Sequence, residues 1–102
     1  AYAARLWSMI QTNPSMKDRT TLFITNDHGR HLDRVKSGFV NHGDRCEGCR
    51  HISLLVLGPD TPKGISIKKE GELIDISKTI STLLHFDMPS SKGRFLKEAF
   101  KP

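Results

Sequence analysis

Long hydrophobic runs are missing from this chain of 102 residues. The longest, Ile52 to Leu57, is interrupted by Ser53 and is far too short to cross a bilayer, so no membrane span is expected. Aromatic residues are scarce at 7%, with one Trp and one Tyr, and none is interleaved with a basic block. The stacking platform of a single-strand nucleic-acid binder is therefore absent, although the formal charge is +5. The positive residues are spread from Arg5 through Lys17, Arg30, Arg34, Lys36, Arg45, Arg50, Lys63, Lys68 and Lys69 to the set between Lys92 and Lys101. A solvated surface explains them better than a nucleic-acid face, and Arg30, Arg45 and Arg50 form the one group suited to attract an anionic substrate. The N-terminal residues carry helical periodicity instead of the basic start and greasy run of a signal peptide. The length allows one domain, residues 1–102, with a modest core.

Three segments organise what is there. Tyr2, Ala3, Leu6, Trp7 and Ile10 recur at helical spacing until Asn13-Pro14 stops the run. A β-branched strand follows from Thr20 to Thr25, and its continuous apolar character suits a sheet covered on both faces. Gly29 to Arg50 is a polar stretch of 22 residues, long enough inside a compact domain to signal a functional loop. A second strand runs from Ile52 to Leu57 and ends at Gly58-Pro59, and a weaker one is expected over Ile65 to Lys68. Asp75 is a candidate N-cap for a final helix with Ile76, Ile80, Leu83 and Leu84 on one face. Helix, strand, loop, strand, helix indicates an α/β class. Periodicity assigns Trp7 and Phe23 to the core, whereas Phe39, inside the polar loop, is open between packing and substrate stacking.

The chemistry gathers where the first strand ends. Asp27-His28-Gly29 follows the apolar run directly, and loops at the carboxyl ends of strands are where α/β sheets bind ligands. A carboxylate oxygen beside an imidazole nitrogen suits Zn²⁺ or Mn²⁺ better than Ca²⁺. His42, in Asn41-His42-Gly43-Asp44, supplies a third candidate ligand fourteen residues on. His31 is its chief rival because it lies nearer in sequence, and His51 is next. His85 ends the last helix, where a cation complements the dipole, and capping is its expected role.

Thr21 to Arg30, which contains the Asp27-His28-Gly29 motif, resembles the C-terminal metal-binding strand of the alkaline phosphatase superfamily. That group includes sulfatases, nucleotide pyrophosphatase/phosphodiesterases, phosphopentomutase and cofactor-independent phosphoglycerate mutase. Asn41-His42-Gly43 is similar to its later metal-binding loop, and His51 to Pro59 to the strand after it. Asp75 to Leu84, Pro89 and Gly93-Arg94-Phe95-Leu96 resemble the closing helix and tail. The motifs occur in the family's order over nearly the whole chain.

The resemblance implies the C-terminal portion of an alkaline phosphatase-like sheet flanked by helices. It also implies a two-metal centre, with Zn or Mn ahead of other cations, that acts on phosphate or sulfate esters. On that pattern Asp27 and His28 hold the metal nearest the nucleophile, His42 holds the other, and Arg30 faces the substrate anion. The family also needs an N-terminal Asp ligand, a Ser, Thr or modified Cys nucleophile and an upstream Asp-x-x-x-His pair. The 26 residues before Asp27 contain Asp18 and no His, so the chain reads as a C-terminal segment without a nucleophile, inactive without the rest of its domain. Asp27 and His31 show Asp-x-x-x-His spacing by chance. A segment cut from a larger sheet is expected to leave apolar faces and strand edges uncovered.

Cys46-Glu47-Gly48-Cys49 offers a different reading. The two thiols with His42 and His51 make a possible Cys₂His₂ zinc set, the basis of a small zinc-stabilised interaction module. A redox pair would sit at a helix N-terminus, and no helix is expected after Cys46. A disulfide fits an exported or periplasmic protein, and free thiols fit a reducing compartment. The sequence leaves these readings open.

Overall fold

The computed structural model describes residues 2–32 and 41–102. Phe39, Arg34 and Lys36, singled out above, lie outside the described residues. Helices and a small antiparallel sheet are mixed along the chain, a loosely α/β arrangement, and two compact units divide at residues 59 and 60.

In the first unit, helix α1 covers Tyr2–Thr12. Pro14 cannot continue the ladder, and the Asn13 side chain accepts the Ser15 N–H at 2.9 Å to form the turn that ends the helix. Ile10 is buried, whereas Trp7 is only half-buried and Tyr2 and Met9 are 85% and 68% exposed. Strand β1, Leu22–Thr25, pairs antiparallel with β2, Leu54–Leu57, in the register Leu22 to Leu57 and Thr25 to Leu54. Both strands are shorter at their first residues than the apolar runs that define them. Phe23 is half-buried. The antiparallel pairing places the end of β1 beside the start of β2, so Asn26 and Ser53 close the sheet at that end. Asn26 performs that closure: its side-chain oxygen accepts the Ser53 N–H at 2.9 Å and its amide donates to the His28 carbonyl at 3.0 Å. The Thr25 hydroxyl adds a bond to the Ser53 carbonyl at 2.8 Å.

Within that connection lies an element absent from the sequence reading, the short helix α2 over Glu47–Arg50. Cys46 is its N-cap, so the expectation that no helix follows this thiol is corrected. Four residues are too few for apolar periodicity to register. Gly29 and Gly48 place backbone against backbone here: a Cβ on Gly29 would strike the Gly48 carbonyl, and one on Gly48 would strike the Arg30 carbonyl. The Gly29 N–H donates to the Cys49 carbonyl at 2.8 Å, joining the end of β1 to α2.

The second unit is built on helix α3, Leu73–Leu83. Asp75 is not its N-cap, as expected above, but its third residue. Glu72 caps the helix, and the Asp75 carboxylate reaches back to the Glu72 N–H at 2.8 Å in a reciprocal capping box. The other Asp75 oxygen accepts the Arg94 N–H at 2.8 Å, and the buried Thr79 hydroxyl accepts the Leu96 N–H at 3.0 Å. These bonds fasten the 93–96 segment along the helix. The expected strand over Ile65 to Lys68 is absent: those residues have no regular structure, and Ile65 and Ile67 are 57% and 41% exposed, so the alternation buries nothing. His85 follows the helix with φ of 59°, a left-handed turn, and its backbone N–H bonds the Thr82 carbonyl at 3.3 Å; its place at the helix end is as expected, and the contact shown is made by the backbone.

Arg94 also grips Glu98 through two bonds of 2.7 and 3.0 Å, ahead of the 3₁₀ turn's end at Ala99. The Arg94 guanidinium holds the Glu98 carboxyl well below its ordinary value near 4.5, at about 2. A lowered carboxylate pKa adds stability at pH above 4.5 that is lost as pH falls toward 2. Arg94 is 37% exposed and water screens the pair, so its contribution is small. Glu98→Gln is expected to lower stability slightly at neutral pH and to match the unsubstituted chain near pH 2, read by urea unfolding across the range.

Among the described residues only Ile10, Cys49, Leu96 and Ala99 are buried apolar side chains. Leu55, Leu6, Ile74, Leu84 and Phe86 are between 46% and 67% exposed. The sheet has two strands among the described residues. No described helix is long and apolar enough to cross a membrane.

Candidate metal centre

Two groups of ligand-type side chains form at the shared end of β1 and β2. The first holds the three residues expected from sequence, and among the described residues only the second has its ligand atoms close enough together to share one ion. As β1 stops, the Asp27 carboxylate accepts the His28 N–H at 3.0 Å through one oxygen and stands 3.5 Å from His28 Nε2 with the other. His28 Nδ1 lies 2.8 Å from the Gly29 carbonyl. A carbonyl only accepts, so Nδ1 carries a hydrogen, and Nε2 is the nitrogen on the side of Asp27 that the neutral ring would offer to a metal. This backbone bond fixes the tautomer in the way that outer partners fix metal-binding histidines. The imidazole of His42 stacks on that of His28 with centroids 3.8 Å apart and planes 19° from parallel. Asp27 is 83% and His28 37% exposed, so the group faces solvent. Arg30 is exposed, just beyond the motif.

The second group is His31, Asp44, Cys46 and Cys49, whose ligand atoms all lie within 4.8 Å of one another. His31 is 7% exposed, and its Nε2 is 3.3 Å from an Asp44 oxygen. The other Asp44 oxygen accepts the Cys46 N–H at 2.9 Å, an Asx turn that starts α2. Cys46 Sγ accepts the Cys49 N–H at 3.4 Å. The hydrogen bond with Asp44 is the main cause that raises the Cys46 thiol above its ordinary pKa, because a thiolate there would face a carboxylate. Both cysteines are free thiols, not a disulfide.

The Cys₂His₂ set expected from His42 and His51 is thus not what the chain assembles. His42 is taken up against His28. His51 is exposed and closes α2 with its backbone, its N–H reaching the Glu47 carbonyl at 3.0 Å. His31 and Asp44 reach the thiols instead, because the Gly29–Gly48 approach draws residues 30–32 onto α2. Asp44 was missed by sequence reasoning, although an Asp two residues before Cys46 is a recognisable Asx-turn signal. The group is compatible with metal binding, having one nitrogen, one oxygen and two sulfur donors.

No protein-family model, curated protein or solved structure matches this chain.

Proposed function

We propose that this chain is the C-terminal metal-binding segment of a two-metal hydrolase or transferase acting on phosphate or sulfate esters, within an alkaline phosphatase-like domain. One observation supports the reading: at the end of β1 the Asp27 carboxylate stands 3.5 Å from His28 Nε2, and His42, fourteen positions later in sequence, stacks on the His28 ring. Paired catalytic metals are separated by about 3.5–4 Å, and when bound they activate the nucleophile and stabilise substrate oxygens. Asp27 and His28 hold one ion, His42 contributes to the second, and Arg30 faces the ester's anionic group. The oxygen and nitrogen donors favour Zn or Mn. The exposed Leu55, Leu6 and Leu84 suit faces covered by the remainder of such a domain, which would also bring the nucleophile. The group is exposed and incomplete, so weak binding is expected.

Mn²⁺ is the probe of choice, since it avoids thiolates. Calorimetry of the full chain is expected to show Mn²⁺ binding that Asp27→Asn and His42→Gln each weaken about tenfold or more. Inorganic phosphate is expected to bind only with Mn²⁺ present, and several-fold more weakly in Arg30→Ala. Mn²⁺ binding indifferent to both ligand substitutions would refute the proposal.

A zinc-stabilised interaction module is the second reading, favoured by the buried His31 and Cys49 of the neighbouring group.

A further inference from the structure

We propose that His31, Asp44, Cys46 and Cys49 form a second, structural zinc site, separate from the Asp27–His28–His42 group, that locks the connection between β1 and β2. The inference goes beyond the functional reading above and does not depend on it.

Four arguments converge. Donor number and type are right: two sulfurs, one imidazole nitrogen and one carboxylate oxygen make the closed four-ligand shell of a structural site. The spacing is near closure as well. Tetrahedral zinc with bonds of about 2.0–2.3 Å separates its ligand atoms by about 3.3–3.8 Å. The His31–Asp44 pair stands at 3.3 Å, and no pair in the set exceeds 4.8 Å. Small side-chain rotations would complete the shell.

The surroundings are those of a built site. His31 and Cys49 are 7% and 5% exposed, and Asp44 and Cys46 are half-buried. The Asp44 carboxylate already joins the Cys46 thiol and the His31 ring, and a dication in their midst would exchange those contacts for four metal bonds. The Cys49 N–H already points at Cys46 Sγ, 3.4 Å away, where it would support a metal-bound thiolate. Zinc is selected over harder ions by the two sulfurs. On binding, each thiol gives its proton to the buffer as its Zn–S bond forms, while His31 binds as the neutral ring. Two thiolates and one carboxylate around Zn²⁺ leave a net charge of −1, and Arg45 and Arg50 flank the ligands in sequence.

The location gives the site its purpose. Among the described residues this unit has few buried apolar side chains, and bringing together chain segments far apart in sequence costs entropy. The four ligands clamp positions 31 and 44–49 together, next to the Gly29–Cys49 bond. Metal binding here is therefore coupled to ordering of the loop that carries His42.

Co²⁺ titration of the full, reduced chain tests the proposal, with Zn²⁺ as competitor. One equivalent of Co²⁺ is expected to produce a thiolate charge-transfer band and the visible bands of a tetrahedral ion, both removed by one equivalent of Zn²⁺. Cys46→Ser, Cys49→Ser and His31→Gln should abolish the spectrum, and Asp44→Asn should weaken binding about tenfold or more. Asp27→Asn, His28→Gln, His42→Gln and His51→Gln should leave it unchanged. The spectrum of the unsubstituted chain guards against variants that fail to fold, because the absence of a charge-transfer band there overturns the proposal outright. A band that survives His31→Gln but disappears in His42→Gln or His51→Gln also overturns it, in favour of a knuckle closed by those histidines. Mn²⁺ binding at Asp27 and His42 is read separately, so either site can fail without the other.

Discussion

Gly29→Ala is expected to destabilise the first unit by about 3 kcal/mol and to weaken metal binding at both ligand groups. The added methyl would meet the Gly48 carbonyl and, at 2.7 Å, the His51 carbonyl, and both are backbone atoms held by α2. Flexible side chains give way cheaply, but here α2 or the end of β1 must shift. Overpacking of a fixed backbone costs about 1–3 kcal/mol and sometimes more. Moving α2 also stretches the Gly29–Cys49 bond and carries Cys46 and Cys49 away from His31. Urea unfolding followed by Trp7 fluorescence reads the loss, since Trp7 lies in the same unit. Gly43→Ala provides the contrast: a Cβ there has no atom within 4 Å, and its cost comes only from a φ of 118°.

Asp75→Ala is expected to cost about 3 kcal/mol in the second unit. The side chain is 4% exposed and accepts the Glu72 N–H and the Arg94 N–H, each at 2.8 Å. Alanine leaves both backbone donors without this acceptor in a confined space, and an unsatisfied buried donor costs about 1–3 kcal/mol. Asp75→Asn keeps one acceptor oxygen, so about half the loss is expected. Circular dichroism at 222 nm during urea unfolding measures both variants. A change below about 0.5 kcal/mol for the alanine variant would contradict the role assigned to this carboxylate.

The elements that sequence reasoning identified are those whose signal is local. The spacing of Leu6, Trp7 and Ile10 with Asn13-Pro14, and the apolar runs before Asp27 and Gly58, carry enough periodicity to place α1, β1, β2 and α3. Their boundaries moved where a side chain made a bond that patterning cannot express. Asp75 resembles an N-cap, yet its carboxylate reaches back to Glu72, which starts α3 earlier. Ile65 to Lys68 alternates like a strand but has no partner among the described residues.

The candidate sites divide in the same way. Asp27 and His28 were legible because they are consecutive at a strand end. His42 stacks on His28, but the group whose ligand atoms come together is His31, Asp44, Cys46 and Cys49, of which His31 and Asp44 were assigned to other roles or overlooked. That grouping depends on Gly29 against Gly48, a contact between positions nineteen apart that no local spacing reveals.

The metal-binding role of Asp27, His28 and His42 is tested most directly by following the histidine ring signals of the full chain by NMR while Mn²⁺ is added. Paramagnetic broadening falls steeply with distance, so it reports which rings stand next to the ion. The account predicts that His28 and His42 broaden together, before His51 and His85, and that Asp27→Asn removes this preference. Equal broadening of all rings, or broadening that begins at His51 or His85, would contradict it.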